Sequence, residues 1–394
     1  MSMENQKTGS RMRENVTLAV SAAVIALLSS FLFYRQITGY NGLYISDLPT
    51  HIKQAVTTEN YSVCFLLIKL VYTMSGGSSY ALALLEGVIF GLTWICTTLT
   101  IKKISGLPGW ICRTVSFTLL FLTNIYIPGL FPRFYMGSLI SQPWHNITYA
   151  SMRPFAVLTM LFFSDLLQIY RTEKRISWKY WGLTCFALFM STIMKPNFLM
   201  AFAPALLIIL IIDFFGKRNT FKNEFLLGCV VLPACAVLPV QGLLLFNEEE
   251  SGIIFGPSIF FFTEGTLIFI MKFVSAVTLP LIVYIFNCRK LLKGADIAAL
   301  AYLWSVLEGM FLMETGMRQT HGNFLWGYEI LGYILFMYTV PMFIANIREY
   351  INGEIRKNAG NTAYLIAGSV LCILHLISGI AYIIWVFQGN LYYI

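Results

Sequence analysis

The sequence predicts an all-α fold, a polytopic transmembrane helical bundle of about 11 spans with a cytoplasmic N-terminus. Three observations predict it. Of the 394 residues 57% are hydrophobic and only 12% charged, with a mean hydropathy of +0.71, whereas a soluble domain carries about 25% charged residues. Apolar runs long enough to cross a bilayer recur from end to end, leaving no room for a soluble domain. Lys and Arg gather in short clusters between those runs: Lys102/Lys103, Arg171/Lys174/Arg175/Lys179, Lys217/Arg218/Lys222, Arg289/Lys290/Lys293 and Arg348/Arg356/Lys357. The positive-inside rule makes those clusters cytoplasmic. The net charge of +8 therefore sets orientation and needs no nucleic acid partner.

Taken in order, residues 1–15 form a cytoplasmic tail carrying Lys7, Arg11 and Arg13, and the first span, 16–34, is expected to be retained rather than cleaved. The chain then runs outside over 35–60. "YSVCFLLIKLVYTMSG" (61–76) is apolar but short and interrupted by Lys69, so an interfacial helix is expected at about 61–75. Further spans are expected near 79–101, 111–128, 153–170, 179–194, 198–215, 224–246, 264–287, 295–313, 327–346 and 362–387, with a tight "MKPNF" connection at 194–198. This makes 1–394 a single integral membrane domain with outside loops at about 35–60, 129–152, 247–263 and 314–326. The eight cysteines are scattered without a CxxC pair and read as small hydrophobes.

The outside loops hold the residues with chemistry. In "GLYISDLPTHIKQA", Asp47 before Leu48–Pro49 makes a helix start, and His51 follows one turn later. Asp47 either caps that helix, or serves as a general base or metal ligand at the membrane surface, with His51 orienting it. "ETGMRQTHGNFLWGYE" (314–329) holds Glu314, Arg318, His321 and Asn323. If the preceding span continues helically, Glu314, Arg318 and His321 share one side. Arg318 then suits a phosphate in a bidentate fork. The bland alternative is an interfacial anchor in which Glu314 pairs with Arg318 and Trp326 and Tyr328 sit among headgroups. "FPRFYMGSLISQPWHNITYASMRP" (131–154) adds His145 and Arg153, either phosphate contacts or caps and snorkelling side chains. Within the spans Glu86 and Glu308 are the ionisable residues of most interest, whereas His375 reads as a packed, hydrogen-bonded histidine.

The layout resembles the GT-C superfamily of integral membrane glycosyltransferases, which use polyprenyl-phosphate-linked sugars. The likeness rests on Asp47 in the first outside loop, the aromatic amphipathic segment 59–87 before the second span, and basic residues in later outside loops. It covers the first hundred residues best. Members often carry paired acids in the first loop, while Asp47 has no adjacent acidic partner and Glu59 is the next acid downstream. The resemblance implies catalysis by Asp47 and His51, with donor phosphate and lipid held by Arg153, Arg318, His321 and His145. Glu314, Asn323, Glu86 and Glu308 would support the site. It also implies a divalent cation (Mg or Mn), with Asp47 as its ligand if one is used. The expected partners are a polyprenyl-phosphate-linked sugar, a glycan, lipid or protein acceptor, and the bilayer of a bacterial plasma or inner membrane. Two other readings stay open. "HGNFLWGYEILGY" is loosely similar to a loop of O-antigen polymerases and ligases, and Pro233, Pro239 and Pro280 are what a flippase or transporter with broken helices would show.

Overall fold

The computed structural model describes residues 3–57, 62–131, 144, 146–216, 220–245, 252–259, 265–316, 319 and 322–390. The chain is an all-α polytopic bundle. Helix α1 (Met3–Thr38) leads to two short helices, α2 (Leu48–Thr57) and α3 (Val63–Met74). The long helices α4 (Ser79–Ser105), α6 (Ile147–Glu173) and α8 (Asn197–Phe215) alternate with the shorter α5 (Gly109–Leu119) and α7 (Trp178–Met194). A broken traverse follows, made of α9 (Phe221–Gly228), α10 (Leu232–Cys235) and α11 (Val237–Leu245). The chain ends with α12 (Thr266–Phe286), α13 (Ala295–Phe311), α14 (Trp326–Ile351) and α15 (Ala359–Phe387).

All eleven expected spans contain helix, but only eight segments of the described chain are long and apolar enough to cross a bilayer. Helices α7 and α13 have 17 residues each, about 25 Å at 1.5 Å per residue, and fall just short. The segment expected over 111–128 departs most. Helix α5 stops at Leu119, and residues 122–127 run without regular structure. Irregular backbone at this depth is tolerated only when protein covers it, and here α15 does so. Ser378 Oγ accepts from Tyr126 N at 3.0 Å, and His375 Nδ1 meets the Thr123 carbonyl at 2.6 Å. Only a glycine fits at 379, because a Cβ there would overlap the Phe121 carbonyl oxygen. The span expected over 224–246 is likewise interrupted, by a 3₁₀ turn at Cys229–Val231 just before Pro233. The expected interfacial helix is α3, with 12 residues too short to span.

Helix α14 is the centre of the bundle: 83% of its apolar stretch is buried, against 33% for α1 and α15. A helix apolar all round belongs in such a position. Along the opposite flank α1 lies directly on α4, where Gly87 faces the Ala26 carbonyl and Gly91 faces Ala22.

Ion pairs mark one end of the bundle. Glu14 joins Lys102 at 2.6 Å, Lys103 joins Asp165 at 3.2 Å, and Arg171 bridges Asp296 at 2.5 Å and Asp213 at 3.7 Å. These contacts gather the start of α1 and α13 with the ends of α4, α6 and α8, so the expected basic loops share one end. Asp47, the start of α6, the α7–α8 connection and the start of α14 occupy the other.

Packing of this kind predicts uneven tolerance to added methyl groups. Gly379→Ala and Gly87→Ala should each cost about 1–3 kcal/mol through overpacking, read as a lowered Tm in detergent. Gly182→Ala, with open space around a Cβ, should leave Tm unchanged or raise it.

Candidate functional site

At the end opposite the ion pairs, Asp47 stands where the sequence places it, at the start of α2. Its carbonyl accepts the first helical bond from His51 N at 2.9 Å. Its side chain is half-buried, and His51 packs its ring on Phe65 at 5.5 Å, centroid to centroid.

The cation that feels the charge of Asp47 lies outside the three loop motifs. Lys195 sits in the tight connection between α7 and α8, in extended conformation. Its ammonium donates to Thr148 Oγ1 at 3.1 Å and lies 4.6 Å from the centroid of the Trp326 ring. Burial pushes its pKa down to about 8, while the charges of Glu329, Asp47 and Glu314 pull upward. Lys195 thus feels the charge of three acids, one each from the first loop, position 314 and α14.

The surroundings of Lys195 are held from several sides. Asn146 Oδ1 caps α6 by accepting from Tyr149 N at 3.0 Å and also takes the Thr148 hydroxyl at 2.7 Å. Tyr149 packs on Trp326 at 5.4 Å, so the two rings form an aromatic floor. Asn197 Nδ2 donates to the Asn323 carbonyl at 2.6 Å, and Asn323 Nδ2 donates to Glu314 at 2.5 Å. One chain of bonds therefore runs from the start of α8 through Asn323 to Glu314. A small cleft lined by Ser258, Met313, Glu314, Gly322, Asn323 and Phe324 opens beside it.

Glu314 reaches this place by a route the helical expectation did not foresee. Helix α13 ends at Phe311, and Leu312–Glu314 is a strand (β2) pairing antiparallel with Ile253–Phe255 (β1), with Ile253 opposite Glu314. The helical spacing of Glu314, Arg318 and His321 therefore does not apply. Arg318, His321 and His145 lie outside the described residues.

Arg153 lies deeper than an outside-loop residue. It is 1% exposed, on the second turn of α6, with its guanidinium over Tyr333 (4.5 Å), Phe90 (5.3 Å) and Tyr149 (5.7 Å). Through Tyr149 it is one ring away from Trp326, on which Lys195 sits. Glu86 is buried on α4. It shares a neighbourhood with Lys195, since both act on the Cys64 thiol, which contacts Ser151 at 3.6 Å. Glu308 accepts from Trp304 Nε1 at 2.9 Å and lies beside Gly327 at the start of α14. Among the described residues no three His, Cys, Asp or Glu side chains converge as metal ligands.

Lys195 left a partial signal: it is the cation of the tight "MKPNF" connection, on the side that the positive-inside rule makes external, a side it shares with Arg35, Lys53, Arg133 and Arg153. Glu329 left none.

No protein-family model matches the chain, and no curated protein matches it. Among solved structures, the crystal structure of ArnT from Cupriavidus metallidurans bound to undecaprenyl phosphate is similar over 95% of this chain and 72% of that one. The sequence identity is 10% and the TM-score 0.46. The protein described here is a multi-pass membrane protein by its own helices.

The depressed pKa of Lys195 is directly measurable. Because about 8 is its midpoint, its neutral amine should accumulate between about pH 7 and 9, well before an ordinary lysine at about 10.4. Acylation followed by peptide mass spectrometry should show half-maximal labelling near pH 8. Glu329→Gln removes an upward pull and should move that midpoint lower.

Proposed function

We propose that the protein is a membrane glycosyltransferase. It moves a sugar from a polyprenyl-phosphate-linked donor to a hydroxyl of a cell-surface glycan, lipid or protein on the outer face. The observation that carries this reading is Lys195, half-buried on the Trp326 ring and within the electrostatic reach of Asp47. A carboxylate able to take a proton and a partly dehydrated ammonium able to hold a phosphate are the two groups such a transfer requires.

In the proposed step the acceptor oxygen attacks the anomeric carbon while its proton passes to the Asp47 carboxylate. The bond from that carbon to the donor phosphate breaks, and the electron pair leaves with the phosphate. Lys195 meets the developing charge, and it does so more strongly than a surface lysine because little water competes there. Trp326, half-buried, offers a flat apolar face to a sugar ring, with the buried Tyr149 packed behind it. His51 orients the Asp47 turn, and Glu314 and Asn323 brace the far wall. Arg153 adds positive potential from below, with Glu86 and Glu308 supporting the helices around it. Arg318, His321 and His145 are proposed as further phosphate contacts. The lipid tail would lie between the helices. The same reading makes the protein part of polysaccharide assembly in a bacterial cell envelope.

Profiles of lipid-linked sugars and surface glycan in wild type, a deletion strain and Asp47→Asn test the reading. The Asn variant should reach the membrane at normal level yet match the deletion, with donor lipid accumulating. Were it indistinguishable from wild type while the deletion is defective, Asp47 would be a helix cap and a lipid-linked-glycan flippase would be the better account.

Lys195→Ala should lower transfer by about 100-fold. In wild type, binding of polyprenyl phosphate should weaken as pH rises through about 8, because the folded-state ammonium titrates there. Lys195→Arg should keep whatever binding it retains flat across that range. Flat binding in the wild type would remove Lys195 from the phosphate site.

A further inference from the structure

At the end opposite the ion pairs, the loop that leads to Asp47 is strained and tied down at one residue. Tyr44 has a φ of 62°, a left-handed conformation that a bulky residue adopts only where its surroundings hold it there. Asn41, at φ 54°, shares the strain. Three bonds, each 3.0 Å long, hold Tyr44. Arg35 Nη1, near the end of α1, donates to the Tyr44 hydroxyl, and that hydroxyl donates to the Phe387 carbonyl at the end of α15. The Tyr44 N–H donates to the Gly389 carbonyl just beyond.

Packing reinforces those bonds. Tyr44 is 6% exposed, and the Arg35 guanidinium lies 5.4 Å from its ring centroid and 4.6 Å from those of Phe31 and Tyr40. Gly389 sits at φ 87°, and a Cβ there would stand 3.0 Å from Leu43 Cβ and Tyr44 Cε2, so a larger residue would push the loop away. Only Ile45 and Ser46 separate Tyr44 from Asp47, and three residues of extended chain reach about 11 Å at most. On the other side of Asp47, Leu48 is 1% exposed and its N–H donates to Ser46 Oγ at 3.1 Å. Asp47 is thus held from both sides, and the first anchor is built from two helices at opposite ends of the chain.

We propose that Tyr44 is a positioning residue that clamps the first outside loop between the ends of α1 and α15 and so keeps Asp47 within reach of Lys195. The clamp does not depend on the transfer chemistry; only its consequence for catalysis rests on the glycosyltransferase reading. Lys195 is acted on by Glu329, Cys64 and Glu314 as well as by Asp47. Of these four, only Asp47 belongs to the clamped loop, so releasing the clamp changes one influence and leaves three.

The full chain, purified in detergent, is acylated across a range of pH, and peptide mass spectrometry reads the labelling midpoint of Lys195, near pH 8 in the wild type. Tyr44→Phe removes both hydroxyl bonds, and Gly389→Ala pushes on the loop from beyond α15, so the second variant carries the test if the first fails to fold. Each should lower the midpoint, as Asp47→Asn does, because the upward pull of Asp47 weakens. In an Asp47→Asn background neither should lower it further. A general loosening of the fold would instead hydrate Lys195 and raise the midpoint toward that of an ordinary lysine, and this result would overturn the proposal. So would a wild-type midpoint in folded Tyr44→Phe or in Asp47→Asn, or lowering that adds in the double variant. Sugar transfer is read on the same samples. Under the glycosyltransferase reading, kcat of Tyr44→Phe should fall about 10- to 100-fold with KM nearly unchanged. If the midpoint falls and transfer does not, the clamp stands and the catalytic role of Asp47 falls.

Discussion

Backbone N–H and C=O groups inside an apolar slab must find partners within the protein, and the rest of the architecture follows from that requirement. Most of the chain satisfies it with uninterrupted helix. Where it does not, other residues close the gap. The irregular stretch after α5 is covered by α15, with Ser378 and His375 supplying partners and Gly379 permitting contact. The interruption before Pro233 is a 3₁₀ turn, which keeps local hydrogen bonds while changing direction. One break is thus sealed by a neighbouring helix, and the other by its own local hydrogen bonds.

Charge is distributed by a second constraint, the cost of removing an ion from water. At the basic end the cations lie within reach of water or of carboxylates, and pairs such as Lys103–Asp165 join helices without large energetic stakes. Lys195 is different. Burial pulls its pKa down to about 8, and the Trp326 ring beside it supplies a cation–π contact of about 0.5–2 kcal/mol. Three acids nearby keep it charged near neutrality. Such a group is poorly solvated before a ligand arrives, so an arriving phosphate gains more from it than from a hydrated lysine. Arg153 follows the same logic one layer down, where aromatic faces surround its guanidinium in place of water.

Asp47 was legible as a helix start because its neighbours Leu48 and Pro49 are local signals, and α2 begins there. Glu314 was named from its loop but placed on a helix that ends three residues earlier. The pairing that claims it, with Ile253, spans about sixty residues and leaves no local periodicity to detect. Arg153 carried the right chemical type, but its burial depends on Phe90, Tyr149 and Tyr333 arriving from three helices. Lys195 carried a partial signal, yet the three acids that act on it come from positions 47, 314 and 329.

By itself the sequence determined the all-α membrane class, the alternation of traverses and the end at which the basic loops gather. Those follow from hydropathy and charge, which act residue by residue against water and lipid. Only the tertiary structure decided where helices stop short of their apolar runs and which loop residues meet. Breaks and meetings depend on what packs against the chain from elsewhere: a glycine on α15 admits an unwound strand, and a connection between α7 and α8 delivers its lysine to acids far away in sequence. The identity of the solvent is written in composition, whereas the identity of a neighbour is not.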